Sequence, residues 1–352
     1  MKLSSCQLYV VVCCASLLLS CSRPARQHTV AEKKPYEVVA MLPTTPVKMQ
    51  GASPLCWDYA MLATIESEHL AKGDSVNLST DFIARMALRE KAVEYYFSKG
   101  SSPISMRGMA SMTIHYLEKY GALPHDSYKG PEAPNYNVLI RKVERLARAS
   151  AARSNGLQGY MEDLDNLLDD DLGALPGNNV YMYGATYSPL EFAHSVCAPG
   201  EYINLTSFTH HPFRKPFVLE VADNKMQDEF YNIPLREFMA HIRAAVMAGH
   251  AVCWEGDITE RGFESLPYVD TSKKVTQESR QRKFENLHTT DDHTMAIVGL
   301  IKYKGKEYYK CKNSWGEKWG DDGFVYLSTD YVALNTIAVF MTREAYNLPV
   351  LF

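Results

Sequence analysis

A thiol adds to carbonyl groups as a thiolate, and Cys56 sits where a chain can favour that form. Downstream of it, WDYAMLATIESEHLAK (57–72) carries apolar residues at three- and four-residue intervals and ends at Gly73, a natural helix C-cap. Cys56 is therefore expected at a helix N-terminus, where the dipole and unpaired backbone N–H groups lower a thiol's pKa. Gln50 lies just upstream, behind a loop made tight by Gly51, Ala52 and Pro54. Its side-chain NH2 and the Cys56 N–H could hold the oxyanion that forms when a thiolate attacks an acyl group. A base for the thiol proton and a group to orient that base would complete such a site. The sequence offers a candidate for each much farther along, in the blocks beginning at His293 and Asn313. A lone cysteine before a tryptophan would ordinarily be packing; the accompanying Gln50, His293 and Asn313 make it a candidate nucleophile.

The elements that must position these residues change character along the chain. Ser79-Thr80-Asp81 offers N-cap side chains to a second helix carrying Phe82, Met86 and Val93, and a third helix is predicted from about Gly108 to Tyr120, before Gly121. Residues 130–200 contain RKVERLARASAARS and MEDLDNLLDDDLG, helical in character and separated by Gly and Pro turns, and are predicted to form a helical insertion. Pro234 to Met247 reads as a further helix before Gly249. The strands HAVCWEG, HTMAIVGLIKY, KEYYKCKNS, GFVYLS and TIAVFMT follow, with a hairpin turn at Lys304-Gly305. Helices first and antiparallel strands later predict an α+β fold of two lobes with a cleft between them. No internal repeat or low-complexity tract is present.

Three blocks carry a resemblance. QGASPLCWDYA, from Gln50, resembles the Q-G-x-x-x-x-C-W-[AS]-[FY]-A signature of papain-like cysteine peptidases; HTMAIVG from His293 and NSWGEKWGDDGF from Asn313 resemble the two blocks that follow it in that family. The resemblance implies a papain-like two-lobe fold, with the nucleophile at a helix N-terminus in the helical lobe and His and Asn in an antiparallel β lobe. It implies that His293 pairs with Cys56 as imidazolium and thiolate, and that the Asn313 oxygen holds the His293 ring. Trp315 would shield that hydrogen bond, and Trp57, Arg107, Gly108 and Trp315 would line the substrate cleft. No cofactor is implied. The stretch from Cys56 to His293 is about a hundred residues longer than the ~130–150 of papain and the cathepsins. With GHAVCWEGDITERGF from Gly249 and HYLEKYGALP from His115, it makes the chain similar to the bleomycin hydrolase and aminopeptidase C branch over most of residues 45–345.

That branch implies peptide hydrolysis through a Cys56 thioester, by an aminopeptidase C-like or oligopeptide-cleaving enzyme. Its members end in an arm whose terminal carboxylate captures the substrate amine, and here the chain stops at Asn347-Leu348-Pro349-Val350-Leu351-Phe352. The arm is thus expected to be missing, which keeps endopeptidase action as an alternative. The Gly-Gly pair that lines the substrate backbone in the branch reads Arg107-Gly108, so an arginine is expected to narrow the nonprimed side or attract an acidic group there. Relatives often form hexameric rings; a homo-oligomer is one outcome here, and the oligomeric state stays open. A catalytically idle binding protein of the same fold is a second reading. Acyl transfer to an amine, as in transglutaminase-like enzymes, ranks last, because those carry Asp where this chain has Asn313.

Composition bounds the partners. The chain has 352 residues, 46% hydrophobic and 22% charged, enough for a sizeable core. With 37 basic against 41 acidic residues and a formal charge of -4, it lacks the basic footprint of a nucleic-acid binder. Residues 1–20 combine Lys2 with an apolar run from Leu8 to Leu19, too short to span a bilayer, and read as a signal peptide. Leu18-Leu19-Ser20-Cys21 resembles a bacterial lipobox, which implies cleavage before Cys21, its acylation, and anchoring to a bacterial membrane on the periplasmic or cell-surface side. Residues 21–37 read as a polar tether and 38–352 as the peptidase domain. Once Cys6, Cys13 and Cys14 leave with the signal, Cys56, Cys197, Cys253 and Cys311 remain in the domain, with neither a disulfide framework nor a C-x-x-C metal pair. Cys253 and Cys311 lie in strand-like runs and read as core. His210-His211 shows no third ligand and reads as a solvated loop, Asp169-Asp170-Asp171 as a solvated helix end, and Asp291-Asp292 as loop charges at the cleft rim.

Overall fold

The computed structural model describes residues 34–350 apart from 132–133, 155, 178, 183, 260–262 and 264–265. The signal sequence, Cys21 and most of the tether lie outside the described residues. Strand β1 (Glu37–Met41) comes first, then helices α1 (Cys56–Ala71), α2 (Thr80–Phe97), α3 (Ala110–Tyr120), α4 (Tyr136–Arg153) and α5 (Gly156–Leu172). A small hairpin, β2 (Val180–Met182) and β3 (Ala185–Tyr187), leads to α6 (Pro189–Val196). The rest is β4 (Tyr202–Thr206), β5 (Lys215–Val218), β6 (Glu229–Asn232), α7 (Leu235–Met247), β7 (Val252–Gly256), β8 (Tyr268–Val269), α8 (Gln277–Glu285), β9 (His293–Tyr303), β10 (Lys306–Lys312), β11 (Phe324–Ser328), α9 (Thr329–Asn335), β12 (Thr336–Thr342) and α10 (Arg343–Tyr346).

Local chemistry sets several boundaries. Ser79 caps α2 by accepting a hydrogen bond from Phe82 N at 3.1 Å, and Ser188 with Glu191 forms a capping box on α6, whose first residue is Pro189. Helix α1 differs: its N-cap is Leu55, which has no side chain able to accept from the first turn. Asp58 N donates to Leu55 O at 3.0 Å, and the Trp57 backbone hydrogen-bonds the thiol of Cys56.

The main sheet runs β5-β6-β4-β12-β7-β9-β10-β11-β8. Its pairs are antiparallel except β4 with β6 and β11 with β8. Long β9 holds β10 along one edge, while β7 pairs with its first half and β1 with its second. One sheet face meets the helical lobe: Cys253, Ala338 and Phe340 join a core with Trp57, Met61 and Ile65 of α1 and the buried faces of α2, α3, α4 and α5. The other face packs Val252, Trp254, Met295, Ile297, Val339 and Met341 against Phe238, Ile242 and Val246 of α7. This is the α+β, two-lobe arrangement expected from the order of helices and strands.

Between residues 130 and 200, α4 and α5 lay Leu139, Val143 and Ala147 against Tyr160, Leu164, Leu168 and Leu172, all buried at helical spacing. Arg85 of α2, 2% exposed, reaches across to the Gly173 carbonyl at 2.8 Å and to Asp169 at 2.6 Å. The acidic run is therefore no plain solvated helix end: Asp169 docks α5 on α2, and Asp171 binds Lys142 of α4 at 2.6 Å.

Candidate active site

Folding β9 onto β10 through the turn at Lys304-Gly305 brings the start of one strand to the end of the other, as in the pairing of Ala296 with Lys312. His293 opens β9 and Asn313 follows β10, so the hairpin itself makes them neighbours. Helix α1 lies across the same end of the sheet and presents Cys56. The cleft there has a volume of about 200 Å³, and its lining includes Gln50, Cys56, Arg107, Gly108, Asp223, Asp291, Asp292, His293, Thr294 and Trp315.

The hydrogen bonds around Asn313 fix the chemistry of His293. Asn313 Oδ1 accepts from Ser314 N at 2.8 Å, which identifies that atom as the oxygen, since a backbone N–H can only donate. The same oxygen lies 2.8 Å from His293 Nε2, so Nε2 must carry the proton and Nδ1 remains an acceptor. His293 and Asn313 are 4% and 3% exposed, and the Trp315 ring packs over the imidazole at 4.7 Å between centroids, with Trp319 edge-on behind it. Water is kept from the bond that sets the tautomer.

Gln50 is stitched to the same block. Its backbone N–H donates to Ser314 O at 2.8 Å, its Oε1 accepts from Ser314 Oγ at 2.5 Å, and its Nε2 donates to Ser53 O at 2.8 Å. The carboxamide is thereby oriented, with its second N–H left for a ligand. Gly51 makes the turn with φ of 59°, a conformation that favours glycine.

The thiol of Cys56, partly open to the cleft, hydrogen-bonds with Thr294 and the Trp57 backbone, and no hydrogen bond to His293 is present among the described residues. Burial, with the charge of Glu255 added, pushes the thiol up to about 11 against these contacts, while burial brings His293 down to about 4. The helix start alone does not produce the expected thiolate, because charging either group singly in this enclosed place costs more than the dipole returns. Proton transfer from Sγ to Nδ1 creates both charges together, and their attraction in a low dielectric offsets that cost.

Two of the expected cleft residues need comment. Trp57 does not line the cleft: it is fully buried, and its Nε1 donates to Met106 O at 2.9 Å, so it anchors the loop that carries Arg107 and Gly108. Arg107 reaches Asp223 at 2.8 Å and the Asp291 carbonyl at 3.3 Å, and Asp291 Oδ2 accepts from Asp223 N at 2.9 Å. Asp291 thus joins the cleft wall and is more than a rim charge. Asp292 has one oxygen on Ile258 N and one buried without a partner, and burial beside Asp257 pushes it up to about 7. Sequence reasoning missed Asp223, which sits in an unpatterned loop; the Arg107 substitution was the one available hint of an acidic partner.

The His pair has a third neighbour after all: Glu220 Oε2 lies 3.1 Å from His210 Nε2, and Glu220 Oε1 lies 2.5 Å from His211 Nε2. The triad is wired as a hydrogen-bonded clip, because Gln281 Nε2 donates to His210 Nδ1 while Gln281 Oε1 accepts from Thr209 N, which leaves the His210 proton on Nε2. A metal ion would have to displace that proton. Cys197, Cys253 and Cys311 are buried, and no disulfide joins the described cysteines. No described helix is long and apolar enough to cross a membrane.

Comparison with known proteins agrees with this geometry. The papain family cysteine protease domain matches residues 238–342. Aminopeptidase W of Lactobacillus delbrueckii subsp. lactis is 24% identical over 86% of this chain and 82% of the relative, and aminopeptidase G of the same organism is 22% identical over 82% and 79%. The crystal structure of PepW from Lactobacillus rhamnosis HN001 superposes with a TM-score of 0.66 over 89% of this chain and 82% of the other, at 18% identity. With a thiol at the start of α1 and a His/Asn pair on the adjoining hairpin, the chain is a papain-like cysteine peptidase. Within that class it is similar in sequence to aminopeptidases W and G, and its fold is shared with PepW.

Proposed function

We propose that this enzyme removes residues from the N-terminal end of peptides while anchored to a bacterial membrane through Cys21. In this reading Cys56 attacks the scissile carbonyl as a thiolate after passing its proton to His293 Nδ1. The Cys56 N–H and the Gln50 carboxamide stabilise the tetrahedral oxyanion, and the imidazolium then protonates the leaving amine. Water, deprotonated by His293, hydrolyses the thioester. Asn313 keeps the ring in the required tautomer throughout.

The observation that carries the catalytic part is the doubly donated Asn313 oxygen, which leaves His293 Nδ1 as the acceptor facing the cleft. Labelling by an active-site-directed epoxide tests it: one equivalent should attach at Cys56, and a failure of micromolar reagent to label Cys56 would sink the peptidase role. The exopeptidase part is supported by two aminopeptidase relatives and by the Arg107 to Asp223 bridge across the nonprimed side. Mass spectrometry of a digested peptide library should show N-terminal residues released, and internal cuts would overturn it. Anchoring is supported by the Leu18-Leu19-Ser20-Cys21 motif. A Cys21→Ser variant should move from the membrane fraction to the soluble fraction and lose incorporation of labelled fatty acid.

A further inference from the structure

Glu255 is a carboxylic acid in an unusual place. On β7 it pairs with Thr294 of β9, and its neighbour Gly256 pairs with His293. Opposite residues of an antiparallel pair share a sheet face, and Thr294 is the residue that hydrogen-bonds the Cys56 thiol. Glu255 also pairs with Ala338, which lies in the core facing the helical lobe. Its carboxyl group therefore points toward Cys56 and the loop of Gly108, and is 1% exposed.

Burial at this depth normally demands a cation or a full set of donors. Glu255 has one contact, a long 3.4 Å hydrogen bond from Ala110 N to Oε2. No salt bridge reaches it among the described residues. Arg107, which could neutralise it, is committed to Asp223 and the Asp291 carbonyl, and exposed Lys225 lies with its Nζ on Arg107 O at 3.4 Å. Glu255 lies behind the cleft lining, whose own residues Asp223, Asp291 and Asp292 add further acid. Burial and the charges of Asp291 and Asp223 hold the Glu255 carboxyl well above the usual carboxylate range. A cation brought beside it would restore the charged form and satisfy the oxygen that has no donor.

We infer that Glu255 is the anionic anchor of a substrate-specificity subsite beside Cys56, which receives an organic ammonium group on the nonprimed part of the peptide. The inference rests on the peptidase reading above. The α-ammonium of the peptide's N-terminus is the source that exopeptidase action supplies; a lysine side chain one residue before the scissile residue would present the same chemistry.

The test compares leucyl-aminomethylcoumarin with its N-acetylated twin, and acetyl-lysyl-leucyl- with acetyl-norleucyl-leucyl-aminomethylcoumarin, using enzyme counted by epoxide titration. The wild type should prefer the ammonium-bearing member of at least one pair by about tenfold or more in kcat/KM. Glu255→Gln should cut that preference by about tenfold, by a larger factor than Asp291→Asn does. Loss in the free-amine pair assigns the subsite to the α-ammonium, and loss in the lysine pair assigns it to the side chain. A wild type that titrates with the epoxide yet prefers neither charged substrate overturns the inference, whether or not Glu255→Gln folds. So does a Glu255→Gln enzyme that slows charged and uncharged substrates alike. Absence of epoxide labelling in the wild type would instead fail the peptidase reading.

Discussion

At residue scale the site depends on one side chain with unequal ends: the Asn313 oxygen serves two donors, and its Nδ2 is buried with no partner. The oxygen is what the chemistry uses. Asn313→Ala should lower kcat by about a hundredfold, the scale of a mispositioned general base, with a smaller change in KM. Steady-state kinetics on titrated enzyme reads this, and a drop under about threefold would remove Asn313 from the mechanism. Burial of His293 has a separate consequence for stability. Its pKa falls from an ordinary 6.5 to about 4 on folding, so between these values the unfolded chain binds the extra proton. The contribution of neutral His293 is therefore complete above pH 6.5 and is lost as pH falls toward 4, by up to about 3 kcal/mol. Urea unfolding should show a His293→Gln variant losing less stability than the wild type across that window; parallel curves would contradict it.

At the scale of elements, the question is how α1, the Gln50 loop and the β9–β10 hairpin stay in register. Glu66 of α1 is fully buried and accepts from Lys48 Nζ and Leu78 N at 2.7 Å and from Thr45 Oγ1 at 2.5 Å. Lys312 donates to the same Thr45 hydroxyl at 2.7 Å. Lys48 leads into Gln50, and Lys312 immediately precedes Asn313, so one carboxylate ties the nucleophile's helix to both partner segments. The two ammonium groups hold Glu66 below its usual range, and burial brings Lys312 down to about 8. Glu66→Gln would leave buried Lys312 and half-buried Lys48 without their carboxylate and should cost about 3–5 kcal/mol in urea unfolding. A loss below about 1 kcal/mol would mean that the network is not what holds these elements. The elements themselves were legible in the sequence: the period of WDYAMLATIESEHLAK gives α1, and the strands from HAVCWEG to TIAVFMT fall where their β-branched and aromatic runs lie. Glu66 was not legible, because in that helical string it looks like any surface glutamate and its partners come from residues 45, 48 and 78.

For the whole molecule, legibility divides along the same line between local and distant. Gln50, Cys56, His293 and Asn313 sit in compact blocks whose residue types declare their chemistry, and the structure gathers the first three at one cleft with Asn313 hydrogen-bonded behind His293. The insertion of β12 between β4 and β7, the partnership of Glu220 with the His pair, and the approach of Asp223 to Arg107 depend on chain segments that share no pattern. Trp57 was misread for a related reason: its place beside the nucleophile says it is near, but only the path of the 106–108 loop decides which way the ring faces. The four described cysteines, by contrast, could be judged from spacing, and they set a test of the molecule as one folded body. Cys197 is buried and pushed up to about 12, Cys253 and Cys311 are fully buried in strands with their thiols also raised, and Cys56 alone of the four meets the cleft. In the native protein, of these four only Cys56 should react rapidly with a thiol reagent, and all four should react in denaturant. Because no bond joins them, the melting temperature should be the same with and without dithiothreitol. Fast native modification of Cys253, located by peptide mapping, would mean that the sheet and the helical lobe separate far more readily than their shared core implies, and that of Cys311 would mean the same of the sheet and α7.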